Sequence, residues 1–171
     1  MKLAFAEIPQ EKTRYSLGET GWFPVAEIAF RPPVQAEIEI RRRTSTTALL
    51  KGRLQFSALL QCDRCAAPVE RLLQEEFEYT ITLEEHNNPE LSELECSEED
   101  CNTLYLTEPV IDFGAILREQ AFIAVPTRTL CSEDCRGLCP ICGAVLKSEN
   151  CGCSTTGSNS PFAVLERLRK A

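Results

Sequence analysis

Apolar and polar residues alternate strictly over residues 34–40, with Val34, Ala36, Ile38 and Ile40 on one side of an extended chain and Gln35, Glu37 and Glu39 on the other. A period of two is that of a half-buried strand. The same period resumes over residues 50–61, where Leu50, Gly52, Leu54, Phe56, Ala58 and Leu60 oppose Lys51, Arg53, Gln55, Ser57 and Gln61. After a turn marked by Pro68, residues Phe77, Tyr79, Ile81 and Leu83 alternate with Glu76, Glu78, Thr80 and Thr82, which predicts a third strand. Sequential strands of this kind pair antiparallel. The period then becomes helical: Phe113, Ile116, Leu117, Ala121 and Ala124 share one face, Asp112 is placed to cap the amino end, and Pro126 ends the helix. That helix is expected to cover one face of the sheet. A polar linker over 154–160 leads to Pro161, which opens a short terminal helix presenting Phe162, Leu165 and Leu168.

Charge alters this picture in one place. The net charge is -8, which by itself disfavours nucleic acid. Residues 84–108 hold nine carboxylates and no lysine or arginine, and the remaining residues carry 18 basic against 17 acidic side chains. One acidic segment, broken by Asn87, Asn88 and Pro89, therefore accounts for the excess and reads as a mobile loop. The rest is near neutral, without the large basic surface that neutralising many phosphates requires. The first twelve residues lack the apolar run of a secretory signal, and no stretch approaches the roughly 18 apolar residues of a membrane span, so a cytoplasmic location is expected.

Ten cysteines against one histidine make sulfur the unusual chemistry of this chain. In a reducing compartment such a pattern favours metal over disulfides. Eight of the thiols form short clamps: Cys62 with Cys65, Cys131 with Cys135, Cys139 with Cys142, and Cys151 with Cys153. Two side chains so spaced in a tight turn can converge on one tetrahedral ion, and two clamps close a site. The consecutive clamps Cys139, Cys142, Cys151 and Cys153 can share an ion at small loop-closure cost. Cys62, Cys65, Cys131 and Cys135 then form a long-range site, and the competing arrangement exchanges the middle clamps. All-sulfur sites select zinc or iron–sulfur clusters; zinc is preferred, as two structural ions, with Arg64, Arg128, Arg136 and Lys147 as candidate neutralising cations. Saturated sites leave no position for an activated water, so the metal is structural. Cys96 and Cys101 in the acidic loop read as solvated thiols.

Enzymatic chemistry is not expected. The only histidine, His86, lies in the acidic loop, which leaves no imidazole to activate a nucleophile. No phosphate-cradling glycine loop is present, and Glu75, Glu76 and Glu78 read as the wet face of a strand. A thiol oxidoreductase using one C-x-x-C pair is the remaining catalytic alternative. Arg41, Arg42 and Arg43, with Lys51 and Arg53 on the next strand, are the candidate RNA-binding residues. Arg167, Arg169 and Lys170 suit the carboxyl end of a helix.

The order of these elements resembles the YceD family of large ribosomal RNA subunit accumulation proteins. The resemblance rests on Cys62-Asp63-Arg64-Cys65 after a long strand, on Ile111-Asp112 opening the helix that runs to Val125-Pro126, on the cysteine block from Leu130 to Gly143, and on the closing Ser160-Pro161-Phe162. It implies a non-enzymatic factor supporting synthesis, processing or stability of large-subunit (23S) ribosomal RNA, acting on the RNA precursor or on ribosome-assembly proteins. A zinc-stabilised protein adaptor without RNA contact is the alternative. The fold expected is α+β: an antiparallel sheet with its covering helix within residues 1–130, a zinc-ribbon-like segment at 131–153, and the linker and terminal helix at 154–171.

Overall fold

The computed structural model describes residues 1–18, 20–83, 101–146 and 151–153, and in it the two-residue period becomes long strands. In chain order the elements are β1 (Lys2–Ala4), β2 (Thr13–Leu17), β3 (Phe30–Arg42), β4 (Thr47–Gln61), β5 (Pro68–Thr82), β6 (Thr103–Tyr105), β7 (Val110–Asp112) and the helix α1 (Phe113–Ala124), with 3-10 turns at Phe5–Glu7 and Thr20–Trp22. The chain divides into two compact units. The first comprises Met1–Leu60 and Pro68–Thr129; the second joins Gln61–Ala67 to the described part of Leu130–Ala171.

In the first unit the strands form a five-stranded sheet in the order β2-β3-β4-β5-β6, and β1 pairs with β7 in a separate two-stranded ribbon. β2 runs antiparallel to β3, and β3 to β4. The register shifts between Arg31 and Gln35, where Pro32 and Pro33 have no N–H to give to a ladder. The β4–β5 register follows from its cross-strand partners: Thr46 accepts from Leu83, Lys51 pairs with Glu78, Arg53 with Glu76, and Gln55 with Gln74. Each step of two along β4 is matched by a step of two back along β5, the signature of an unbroken antiparallel hairpin.

The inner face carries the core. Val34, Ala36, Ile38 and Ile40 of β3 and Leu50, Leu54, Phe56 and Ala58 of β4 are buried together with Phe113, Ile116, Leu117, Ala121 and Ala124 of α1. These are the apolar positions that the two periods single out, so the helix covers the sheet as expected. Asp112 caps it, accepting from the N–H groups of Gly114 at 2.9 Å and Ala115 at 3.3 Å. Buried Gln120 is satisfied by donating to the Tyr79 hydroxyl at 2.7 Å. Phe23, unassigned by periodicity, fills the core between Phe30 and Phe56. No helix among the described residues is long and apolar enough to cross a membrane.

Gly52 shows how the sheet is fitted. A Cβ at this position would overlap Cζ of Phe77, whose ring lies over the glycine from the neighbouring strand. Gly52→Ala is therefore expected to destabilise the unit by about 1–3 kcal/mol through overpacking. In a Phe77→Ala background most of that penalty should vanish, and a denaturant double-mutant cycle measures the difference. Additive losses would refute the contact.

The structure corrects three expectations. The sheet is mixed rather than antiparallel, because β6 pairs parallel to β5. Thr103–Tyr105 belongs to the segment read as a mobile acidic loop; in the stretch free of carboxylates between Asp100 and Glu108, Thr103, Leu104 and Tyr105 form a short strand. Glu75 does not share a face with Glu76 and Glu78, because side chains alternate along β5 and turn it to the inner side, where it is half-buried. Residues 84–100, the linker and terminal helix, His86, Cys96, Lys147, Arg167, Arg169 and Lys170 lie outside the described residues.

Candidate metal centres

The second unit contains two versions of one turn. At the β4–β5 hairpin tip, the Cys62 N–H donates to Ala67 O and the Ala66 N–H returns to Cys62 O, at 2.9 and 2.8 Å. Further along, the Cys139 N–H donates to Ala144 O and the Gly143 N–H returns to Cys139 O, at 2.8 and 2.9 Å. The residue four places after the first cysteine is left-handed in both, Gly143 at φ +75 and Ala66 at φ 56. Reversing the chain this tightly turns both sulfurs of a C-x-x-C pair to one side. The second turn is closed by an antiparallel bridge between Leu138 and Val145.

Across the turns, the thiols gather into two tetrads. Sγ atoms of Cys62, Cys65, Cys131 and Cys135 all lie within 4.8 Å of one another, as do those of Cys139, Cys142, Cys151 and Cys153. The clamps thus group consecutively, and the exchanged arrangement is not adopted. Cys62 and Cys135 are 3.8 Å apart and Cys65 and Cys131 3.7 Å, too far for a disulfide. A tetrahedral ion held at about 2.3 Å by each sulfur sets its ligands about 3.8 Å apart. Both tetrads could hold metal ions. The first is the more enclosed, with Cys62, Cys65 and Cys135 buried, whereas Cys142 in the second is exposed.

Electrostatics within each tetrad is uneven. Burial pushes the Cys62 thiol up, but backbone N–H groups of Cys131, Arg64 and Cys65 outweigh it and bring the thiol down to about 6. For Cys139, the N–H groups of Cys142 and Ile141 prevail over burial, also to about 6. Cys65 receives the Ala67 N–H, yet burial and the crowding thiols of Cys135, Cys62 and Cys131 push it up to about 12. The Cys142 side chain and burial do the same to Cys153, and contact with Cys139 raises Cys151. Sulfurs this close cannot all carry negative charge unless a cation joins them.

Of two supports, Arg64 was a candidate in the sequence as a neutralising cation, and Gly137 escaped the sequence reading. Arg64 donates to the carbonyl oxygens of Cys135 at 2.6 Å and Glu133 at 3.4 Å, tying the first knuckle to the second clamp through the main chain. Gly137, at φ +77, lies where a Cβ would come within 2.9 Å of the Arg64 carbonyl oxygen. The signal was a glycine two residues after a ligand. Gly137→Ala is expected to combine a left-handed penalty of roughly 1–2 kcal/mol with this backbone clash, whereas Gly143→Ala meets nothing within 4 Å and bears the conformational cost alone. Chelator competition should show weaker metal retention in Gly137→Ala; equal retention in the two variants would refute the clash.

The candidate RNA-binding residues do not form one basic patch. Strand register sets Arg41, Lys51 and Arg53 on the outer sheet face among Glu37, Glu39, Glu76 and Glu78. Lys51 meets Glu78 and Arg53 meets Glu76, each at 2.6 Å, and Lys12 and Arg14 both reach Glu39. Those cations hold the Glu39 carboxyl below its ordinary value, the Lys12 contact foremost. Arg42 turns the other way and donates to the carbonyl oxygens of Phe5 and Ala6. Arg43 follows the end of β3, its N–H donating to Thr47 O.

Residues 50–169, which include all eight clustered cysteines, match the family described as large ribosomal RNA subunit accumulation protein YceD. The chain is similar to a chloroplastic protein of Arabidopsis thaliana named large ribosomal RNA subunit accumulation protein YCED homolog 1, at 23% identity over 81% of this chain and 49% of the relative. It is also similar to an uncharacterized protein of Mycobacterium tuberculosis, at 30% identity over 61% of this chain and 48% of that relative. The chain spans about half the length of these relatives. No solved structure matches it.

Proposed function

The chain belongs to the YceD family, and from that membership we propose that it is a non-enzymatic ribosome-biogenesis factor supporting accumulation of large-subunit (23S) ribosomal RNA in the cytoplasm. The family match over the region holding both tetrads carries this reading. Zinc is the ion proposed for each tetrad, since four thiolates suit it and a tetrahedral site needs nothing else from the protein. The second unit, with its paired knuckle turns and the Leu138–Val145 bridge, then reads as a zinc ribbon. Four protein ligands leave zinc no open position for water, which supports structural over catalytic metal. In the same way, thiols occupied by an ion do not serve as a redox pair.

Ion pairing on the outer sheet face favours a protein-mediated route to the ribosome over tight phosphate binding by Lys51 and Arg53. Depleting the protein in its own cell should lower 23S relative to 16S ribosomal RNA, and re-expression should restore the ratio. An unchanged ratio would overturn the reading. Crosslinking in the same cells separates the routes, since enrichment of assembly proteins without RNA is the outcome the ion pairing favours.

A further inference from the structure

The register of β5 decides which of its backbone groups are engaged. Leu83 donates to Thr46 O, so odd-numbered residues turn their N–H and C=O groups toward β4. Thr80 donates to Asn102 O and Thr82 accepts from Leu106, so even-numbered residues turn theirs to the other side. β6 covers that side only along Thr80 to Thr82. Upstream, Glu70, Leu72, Gln74, Glu76 and Glu78 project backbone donors and acceptors beyond the sheet, and among the described residues no strand pairs with them there. All five residues are exposed. At about 3.4 Å per residue this edge is roughly 30 Å long.

A long unpaired edge is a template for another extended chain. Most proteins blunt such an edge with lysine or proline; β5 has no lysine, and its only proline is Pro68, at its start. The charge of the edge selects the occupant. Glu70, Glu76 and Glu78 line the outer side, each meeting one cation of its own sheet and retaining further acceptor capacity. On the inner side, Leu73, Phe77 and Tyr79 offer buried or half-buried apolar surface, interrupted by exposed Arg71 and half-buried Glu75. An added strand sends alternate side chains to these two sides. A second copy is disfavoured, because a two-fold pairing centred on Gln74 opposes Glu70 to Glu78 of its partner.

We propose that the edge of β5 from Glu70 to Glu78, with which no strand among the described residues pairs, accepts, as an added strand, an extended protein segment in which lysine or arginine alternates with apolar residues. This rests on the ribosome-assembly reading and deepens it by naming the chemistry of the protein partner.

The test uses the metal-loaded full chain and fluorescent peptides of about nine residues, a length matched to the edge. One alternates lysine or arginine with valine or isoleucine; the other has the same composition with all basic residues at one end. The alternating peptide should bind at least about tenfold more tightly. N-methylation of its edge-facing amides should abolish binding, while methylation of the intervening amides should not. Gln74→Pro removes an outward N–H without touching the β4 ladder, so it should weaken binding about tenfold with unchanged circular dichroism and metal content. Should that variant misfold, the methylated peptides on the unaltered protein decide.

Equal affinity for both peptides, indifference to methylation, loss of a dimer in Gln74→Pro, or displacement of the peptide by single-stranded RNA would each overturn the proposal. Failure here is distinguishable from failure of the family reading: the first appears as absent peptide binding with a normal dependence of 23S RNA on the protein, the second as the converse.

Discussion

Cys62→Ser is expected to leave the chain with one metal ion in place of two and to unfold the first metal centre. Cys62 is 2% exposed and its sulfur is one of four converging thiols; a serine hydroxyl is a poor substitute for a soft thiolate and would itself be buried. Structural zinc contributes about 10–16 kcal/mol in small zinc-finger peptides, comparable with or greater than the roughly 5–15 kcal/mol that separates a folded domain from its unfolded chain. Losing even a fraction of this is decisive.

Cys142→Ser at the exposed end of the other tetrad should also lose one ion, but with a smaller loss of stability. The first site closes a separation of 66 residues between Cys65 and Cys131, whereas Cys142 and Cys151 are near neighbours in sequence. Loop-closure entropy alone then favours the first site as the stronger staple by about 1.8 kcal/mol. Elemental analysis and thermal melts of the two variants check both halves of the expectation. Two ions retained by Cys62→Ser would remove the first centre, and a lower melting temperature for Cys142→Ser would reverse the ranking.

Phe56→Ala is expected to cost about 3–5 kcal/mol, enough to unfold much of the first unit at physiological temperature. The ring is 1% exposed and meets Phe23 edge-on at 4.9 Å between centroids, in the middle of β4. Its removal opens a cavity that β4, held between β3 and β5, closes only in part. Ile123→Ala is the matched control: this side chain of α1 is 68% exposed, and its truncation should stay within about 0.5 kcal/mol. Urea denaturation followed by circular dichroism gives both values. Comparable losses in the two variants would show that the core has been misplaced.

Some of this architecture was legible before any coordinates. β3 and β4 each bury one face, so their side chains repeat with the pleat, and Ile38 or Leu54 declares its side by parity alone. Asp112 and Pro126 bounded α1 because capping and proline act within one turn. β2 was not legible: it is five residues long, and Arg14 and Ser16 interrupt Tyr15 and Leu17 without enough repeats to establish a period. β6 carries only three residues and follows a run of acids, so its strand character comes from the ladder that β5 offers it. The basic run 41–43 was visible as composition, but parity sends Arg41 and Arg42 to opposite faces, and glutamates from β5 meet the cations of β4.

The amino-acid sequence by itself determined what is settled within a few residues: the pleat-period strands, the capped helix, and knuckle turns that aim two sulfurs one way. Only the tertiary structure decided which clamps share a site, that β6 joins parallel, that Glu75 turns inward while Glu76 pairs with Arg53, and that among the described residues no strand pairs with the outer edge of β5 upstream of Thr80. The division has one physical reason. Local conformation is governed by sterics and hydrogen bonds along the chain, whereas partners 66 residues apart meet only after the core has formed and the entropy of closing the loop has been overcome.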